Sequence, residues 1–223
     1  MNIAVLVFNP IQENTYVLWD DTLECVVVDA GMSNEKEYVA MENFIAEKGL
    51  KPVLAVNTHG HFDHAMGVEF LKEKYGVKFA MSSKDMFLIE AQQEGSVVYG
   101  VTVGKMPKGV DVDLSLAENK ELKFGHTTLE VIATPGHTPG HVSLFEPKQR
   151  VLFTGDTLFK ESVGRTDLPG GDYAQLMDSL LTKIVPLGDD VVVYPGHSGD
   201  TTIGQECMYN PFIVEVINKE VNY

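Results

Sequence analysis

Thr58-His59-Gly60-His61-Phe62-Asp63-His64 places three imidazoles and a carboxylate within six positions. Such a run makes a poor loop and a good metal trap, because imidazole nitrogen and carboxylate oxygen are the donors that first-row divalent ions take. The apolar run Val53-Leu54-Ala55-Val56 precedes it, so the motif is expected where a strand ends and a helix begins. An extended chain rises ~3.3 Å per residue and residues two apart share a face, which lets His59 and His61 grip one ion together. His59 and Asp63 would stand ~13 Å apart on an extended chain, too far for one tetrahedral ion with ~2.0–2.1 Å bonds. Either the backbone folds back or the motif serves two ions. His64 faces another way, which favours two.

The remaining donors must come from afar. His137 and His197 have matching settings, Pro135-Gly136-His137 and Pro195-Gly196-His197. Each follows a β-rich run, Leu129-Glu130-Val131-Ile132 or Val191-Val192-Val193-Tyr194, and a Pro-Gly turn at a strand end aims the next side chain outward. Asp156 ends a run of the same kind, Leu152-Phe153-Thr154-Gly155-Asp156. Four strand ends thus supply His59, His61, Asp63, His64, His137, Asp156 and His197. They divide into two sets of four if one carboxylate bridges: His59, His61, His137 and Asp156 for one ion, and Asp63, His64, His197 and the shared Asp156 for the other. Two divalent ions, two aspartates and a bridging hydroxide leave one net positive charge, enough to polarise a carbonyl. Paired ions lower the pKa of bound water to ~7 and so supply hydroxide at neutral pH. His141, with both sets filled, is expected to hold a neighbouring side chain by a hydrogen bond rather than to ligate. His126, in Phe124-Gly125-His126-Thr127, reads as an exposed hairpin residue.

The elements that position these groups mix strands and helices. Strand-like runs fall at 3–8, 14–19, 24–29, 53–57, 77–81, 121–124, 128–133, 142–146, 151–154 and 190–194. Helical patterns fall at 34–48, with Ser33 as N-cap and Gly49 as stop, at 64–75, 83–93 and 172–184, and from 211 onward. The pattern is α+β, with sheets covered by helices. Residues 95–120 are the least regular, and read as a long connection in preference to a flap over the site.

With 223 residues the chain is expected to form one domain, residues 1–223, around a large core. A net charge of −15 with no basic stripe argues against nucleic acid as a partner. Cys25 sits in a strand-like run and reads as a buried thiol; with only Cys207 besides, no disulfide framework is implied. The first apolar run lacks a basic flank and meets Pro10, so it reads as a strand rather than an export signal. The expected setting is the cytoplasm, with no membrane partner; the oligomeric state is open.

The motifs THGHFDH, TPGHTPGH (134–141), TGDTLF (154–159) and PGH (195–197), in that order, resemble the metallo-β-lactamase superfamily over essentially the whole chain. Asn14-Thr15-Tyr16, Asp29-Ala30-Gly31, Gly164-Arg165-Thr166-Asp167 and Asn210-Pro211-Phe212 resemble its glyoxalase II (hydroxyacylglutathione hydrolase) branch, including small bacterial members. The resemblance implies a four-layer αββα sandwich with the metals at one edge between two mixed sheets. It implies a binuclear hydrolase, with zinc, or iron or manganese, as the two ions. A small acyl thioester such as S-lactoylglutathione would be attacked by a metal-bridging hydroxide that Asp63 and Asp156 fix. Arg165 falls where related enzymes carry a basic substrate contact, Lys160 is a weaker candidate of that kind, and an Arg165–Asp167 ion pair is the competing reading. Phe159, Asp29, Asn14 and Tyr16 are expected to support the fold or the metal shell.

Two departures count against a strict claim on glutathione thioesters. Larger members carry a C-terminal helical extension that holds glutathione, and this chain stops at Tyr223. Their last histidine is followed by Glu-Tyr, whereas His197 is followed by Ser198-Gly199-Asp200. An alternative is an iron persulfide dioxygenase using His59, His137 and Asp156, although those enzymes carry a cysteine where Val163 stands. Ester, lactone or phosphodiester hydrolysis on the same scaffold is another alternative.

Overall fold

The computed structural model describes residues 1–92, 97–98, 101–102, 106–107, 112–117 and 119–221, with the backbone alone for 97–98, 101 and 217–221. Twelve of the residues in 95–120 lie outside the described residues, and with them the expectation of a connection or flap there.

Two six-stranded mixed sheets form the centre. The first runs β1 (Asn2–Phe8), β2 (Glu13–Trp19), β3 (Glu24–Val28), β4 (Lys51–Val56), β5 (Lys78–Met81) and β8 (Leu114–Ser115), while β6 (Val97–Val98) and β7 (Val101–Thr102) pair apart from both sheets. Its first three strands pair antiparallel and the others parallel. The second holds β9 (Glu121–Phe124), β10 (Thr127–Ala133), β11 (Val142–Glu146), β12 (Val151–Gly155), β15 (Val192–Pro195) and β16 (Thr201–Thr202). There β12 and β15 are its parallel pair, and the order is β16-β15-β12-β11-β10-β9.

Alternation along each strand builds the layers. Leu18, Val26, Val28, Leu54, Val56 and Ala80 face the second sheet, meeting Leu129, Leu144, Val151 and Phe153. Their neighbours Val17, Cys25, Val27, Ala55 and Phe79 face a helical layer through Met41, Ile45 and Leu71. Phe145 and Leu152 turn the other way, onto Leu176, Leu180, Ile203 and Ile213. The result is the four-layer αββα sandwich, with Cys25 wholly buried as a free thiol.

Several helix boundaries differ from the sequence expectation. Helix α1 (Glu35–Lys48) is capped by Asn34, whose side chain accepts from the Lys36 and Glu37 amides, not by Ser33. Ser33 is drawn instead onto Glu37, donating from its amide (2.6 Å) and its hydroxyl (3.0 Å). Gly49 ends the helix in the left-handed region, as its spacing implies. The expected helix over 64–75 is two pieces, α2 (Phe62–Ala65) and α3 (Val68–Tyr75). Between them Gly67 is pulled onto the end of β3, donating to the Ala30 carbonyl (2.7 Å). The element over 83–93 is a 3-10 turn, Ser83–Asp85, followed by α4 (Met86–Ala91). In the element over 172–184, regular helix α5 (Tyr173–Ser179) widens into a π turn before the 3-10 turn holding Pro186, which lacks an amide to continue the ladder. The hairpin of β13 (Leu158–Phe159) with β14 (Ser162–Val163), and helix α6 (Ile203–Tyr209), had no distinct pattern in the sequence. Helix α7 (Pro211–Val221) starts where expected.

Candidate metal centre

The seven donors meet at one edge of the sandwich. After β4 the chain is pinned at once: Thr58 donates from its amide (2.7 Å) and hydroxyl (2.8 Å) to Asp29 at the end of β3. Its carbonyl receives the Val142 amide of the other sheet (2.9 Å). The motif therefore starts on a clamp between the sheets. The backbone folds back into α2 two residues after Gly60, bringing Asp63 and His64 round. Asn57 fastens that turn by donating to the His64 carbonyl (2.9 Å).

The two Pro-Gly-His turns are built on close approach. At Gly136, with φ +139°, a Cβ would lie 2.2 Å from the Leu176 amide nitrogen, so the turn seats against the start of α5. At Gly196 a Cβ would stand 2.3 Å from Asp156 Oδ1 and 2.7 Å from His64 Cε1. Bare backbone thus forms part of the site wall. Asn14 donates to the carbonyls of Pro195 (3.0 Å) and Ser198 (2.7 Å), and Tyr16 OH donates to Pro195 (2.7 Å). That gives the Asn14-Thr15-Tyr16 motif a supporting role at the His197 turn.

Donor atoms fall into overlapping groups. Those of His59, His61 and His137 lie within 4.8 Å of one another, as do those of His59, His64 and Asp156, and those of Asp63, His64 and His197. Asp156 faces both sides: Oδ1 lies 3.4 Å from His64 Nε2, and Oδ2 lies 3.6 Å from His137 Nε2 and 3.7 Å from His197 Nε2. His197 Nε2 is 3.2 Å from Asp63 Oδ2.

The outer nitrogens are spoken for. Thr58 Oγ1, already donating to Asp29, accepts from His59 Nδ1 (3.0 Å), and the Arg165 carbonyl accepts from His137 Nδ1 (2.7 Å). Both assignments leave the Nε2 lone pair directed inward, that of His137 towards His61 Nδ1 at 2.9 Å. His141 accepts the Asp156 amide at Nε2 (3.0 Å), so its Nδ1 carries the proton towards Thr134 and Thr157, both 3.0 Å away. It holds backbone, where the sequence suggested a side chain, and has no nitrogen left for an ion.

His59 Nε2, His61 Nε2, His64 Nε2 and Asp156 Oδ1 are buried without a hydrogen-bond partner. Leaving each such atom unmade costs ~1–3 kcal/mol, which is unreasonable unless something else meets them. The electrostatics agree. Burial and the surrounding imidazoles hold His59 well below its ordinary pKa, and burial with His137 pushes His61 down to about 4. For His64 burial acts downward, but Asp156, Asp63 and Asp29 outweigh it and hold the ring well above its usual range. Burial acts upward on Asp156, and His64 overrides it, keeping the carboxylate ionised. Lone pairs on one side and carboxylates on the other fit a pair of divalent cations.

The centre opens into a cavity of about 760 Å³. Phe159 lines it, against the His197 ring at 6.1 Å. Arg165 lines it too, with its guanidinium gripped by Asp167 through Nε (2.7 Å) and Nη2 (2.8 Å). Lys160 is exposed at the tip of the β13–β14 hairpin and is not among the cavity-lining residues, so the structure does not bring it to the site. His126 is exposed and paired with Asp21, away from the donors.

Sequence reasoning missed Asp85, Gln92 and Glu13. Asp85 is fully buried and accepts from the Gly60 amide (3.1 Å), the Thr138 hydroxyl (2.6 Å) and the Gly140 amide (2.6 Å), joining the two histidine loops. Gln92 accepts from the Phe62 amide (3.0 Å) and donates to the Gly60 carbonyl (3.2 Å). Glu13, wholly buried beside Asp29 and His64, is held well above the usual carboxyl range by burial. An acid near a helix start and a polar residue at a helix end carry no local mark that separates them from surface groups.

Two mixed sheets between helices, with a His/Asp cage at their edge, define a recognisable class, and the chain belongs to the metallo-beta-lactamase superfamily, whose defining pattern matches residues 8–197. The chain is 37% identical over 220 residues to hydroxyacylglutathione hydrolase GloC of Haemophilus influenzae, covering 96% of this chain and 98% of that one. Among solved structures it is similar to BLEG-1 B3 metallo-beta-lactamase, with TM-score 0.84, 34% identity, and 95% and 99% of the two chains covered. It is also similar to TTHA1623 in a di-iron-bound form, with TM-score 0.81, 32% identity, and 94% and 99% covered.

Proposed function

We propose that this protein is a binuclear metal-dependent hydrolase of small acyl thioesters, with S-lactoylglutathione as the first substrate to test. The observation that carries this is the set of buried, unpartnered donors of His59, His61, His64 and Asp156 at the head of an open cavity. His59, His61, His137 and Asp156 would hold one ion; Asp63, His64, His197 and Asp156 the other, zinc being the proposed metal. Bound there, paired divalent ions supply a hydroxide nucleophile near neutral pH and a Lewis acid for the substrate carbonyl.

The chain's own residues do the positioning. Thr58 and the Arg165 carbonyl fix the ring orientation of His59 and His137, and His141 fixes Asp156 through its amide. Asp63 and Asp156 aim carboxylate oxygens into the space between the imidazoles, where they would orient the attacking water. A thiolate leaves readily, so the reaction makes little demand on a general acid. The GloC relative, a hydroxyacylglutathione hydrolase by name, supports the substrate class.

Metal-loaded protein should hydrolyse S-lactoylglutathione or another acyl thioester and lose that activity with a chelator. Loaded protein that turns over no acyl thioester contradicts the reading. A mononuclear-iron persulfide dioxygenase would use His59, His137 and Asp156 and leave Asp63, His64 and His197 without a task. Oxygen uptake with a persulfide, beside iron analysis, distinguishes it.

A further inference from the structure

Among the described residues, the wall of the cavity beside the donors is largely apolar. Ile11, Phe62, Phe87, Leu88, Leu168 and Pro169 make up much of its wall. Its described cationic side chain, Arg165, is neutralised by a two-point ion pair with Asp167. The Nε–Nη2 edge of the guanidinium is thereby taken, which leaves only its other edge for a second carboxylate. Phe87, 40% exposed beside Gly170, adds an accessible aromatic face to that wall. A pocket of this size, with the His/Asp cluster in its wall and six large apolar side chains beside it, matches a ligand with one reacting polar head and an uncharged tail.

We infer that the site is selective for thioesters whose acyl chain is an uncharged aliphatic or aromatic group, seated against Phe62, Phe87, Leu88 and Leu168, rather than for short hydroxyacyl or anionic acyl groups. This rests on the hydrolase reading above. In the reaction the carbon–sulfur bond breaks and a carbon–oxygen bond forms to water. The acyl group leaves as a carboxylate with release of a proton, and the sulfur leaves as the thiol.

The test uses metal-loaded protein and one thiol, N-acetylcysteamine, carrying acetyl, butanoyl, hexanoyl, octanoyl, lactoyl and glutaryl groups. Each methylene that becomes buried should raise kcat/KM about fourfold until the cavity is filled. Glutaryl should fall well below hexanoyl. Asp167→Asn, which removes that ion pair, should narrow that gap, and Phe87→Asp should shrink the hexanoyl-to-acetyl ratio. In parallel, calorimetric titration of loaded and metal-free protein with butanoate, hexanoate and octanoate should show binding that tightens with chain length. A flat or falling chain-length series, or preference for lactoyl or glutaryl with turnover intact, overturns the inference and leaves the hydrolase reading standing. No turnover of any thioester, with alkanoate binding that still tightens, overturns the hydrolase reading and keeps the apolar pocket. Alkanoates that bind without regard to length overturn the inference whatever the activity.

Discussion

Asp156 and His197 differ in what each should cost when removed. Asp156 turns one oxygen towards His64 and the other towards His137 and His197, so it belongs to both donor sets. His197 Nε2 stands beside Asp63 and Asp156, and its donor groups with those of Asp63 and His64. Asp156→Ala should therefore impair both ions, whereas His197→Ala should chiefly weaken one; elemental analysis after gel filtration distinguishes them, and equal loss in both variants contradicts the shared carboxylate. Asp85 is the other decisive side chain, although it touches no donor nitrogen. Asp85→Ala leaves the Gly60 amide, Thr138 hydroxyl and Gly140 amide without their acceptor. At ~1–3 kcal/mol for each buried group left unpaired, the loss should be on the order of 3 kcal/mol or more, readable by urea unfolding. A cost below about 1 kcal/mol would mean that water or a neighbour replaces the carboxylate.

At the scale of elements, turns rather than long elements place the chemistry. Tyr16→Phe removes one hydrogen bond to the Pro195 carbonyl and should cost about 1 kcal/mol of stability while loosening the turn that carries His197. Affinity for the second of two bound ions should fall in that variant, and an unchanged second affinity would show that Asn14 alone suffices. For α1, Asn34→Ala should destabilise by about 1 kcal/mol in thermal or urea unfolding. A larger loss from Ser33→Ala would move the cap back to the residue the sequence favoured. Strand positions were legible because alternation and bounding Gly and Pro residues are local: β9 and β11 lie where the apolar runs stand. Helix interruptions were not, because their causes are distant. Gly67 breaks the α2–α3 run by reaching Ala30, and the Asn34–Ser33 choice turns on where Glu37 points. The β13–β14 hairpin and α6 are too short for periodicity to reveal.

On the scale of the whole molecule, the side chains that converge were legible and their supports were not. His59, His61, Asp63, His64, His137, Asp156 and His197 declare themselves by type, spacing and turn context, and the fold gathers them at one sheet edge. Asp85, Gln92 and Glu13 do not, since their partners lie on other elements and appear only once the sheets are stacked. Arg165 is an intermediate case: a substrate contact and an ion pair with Asp167 were both readable from the sequence, and the structure makes the pair. Among the described residues no helix is long and apolar enough to cross a membrane.

Anomalous diffraction from crystals grown with zinc would show whether two divalent cations sit in this cage. Two peaks ~3.5–4 Å apart are expected. One should lie among His59, His61 and His137, the other among Asp63, His64 and His197, with Asp156 between them. A single peak at saturating zinc, or density anywhere other than among these side chains, would contradict the paired-ion reading.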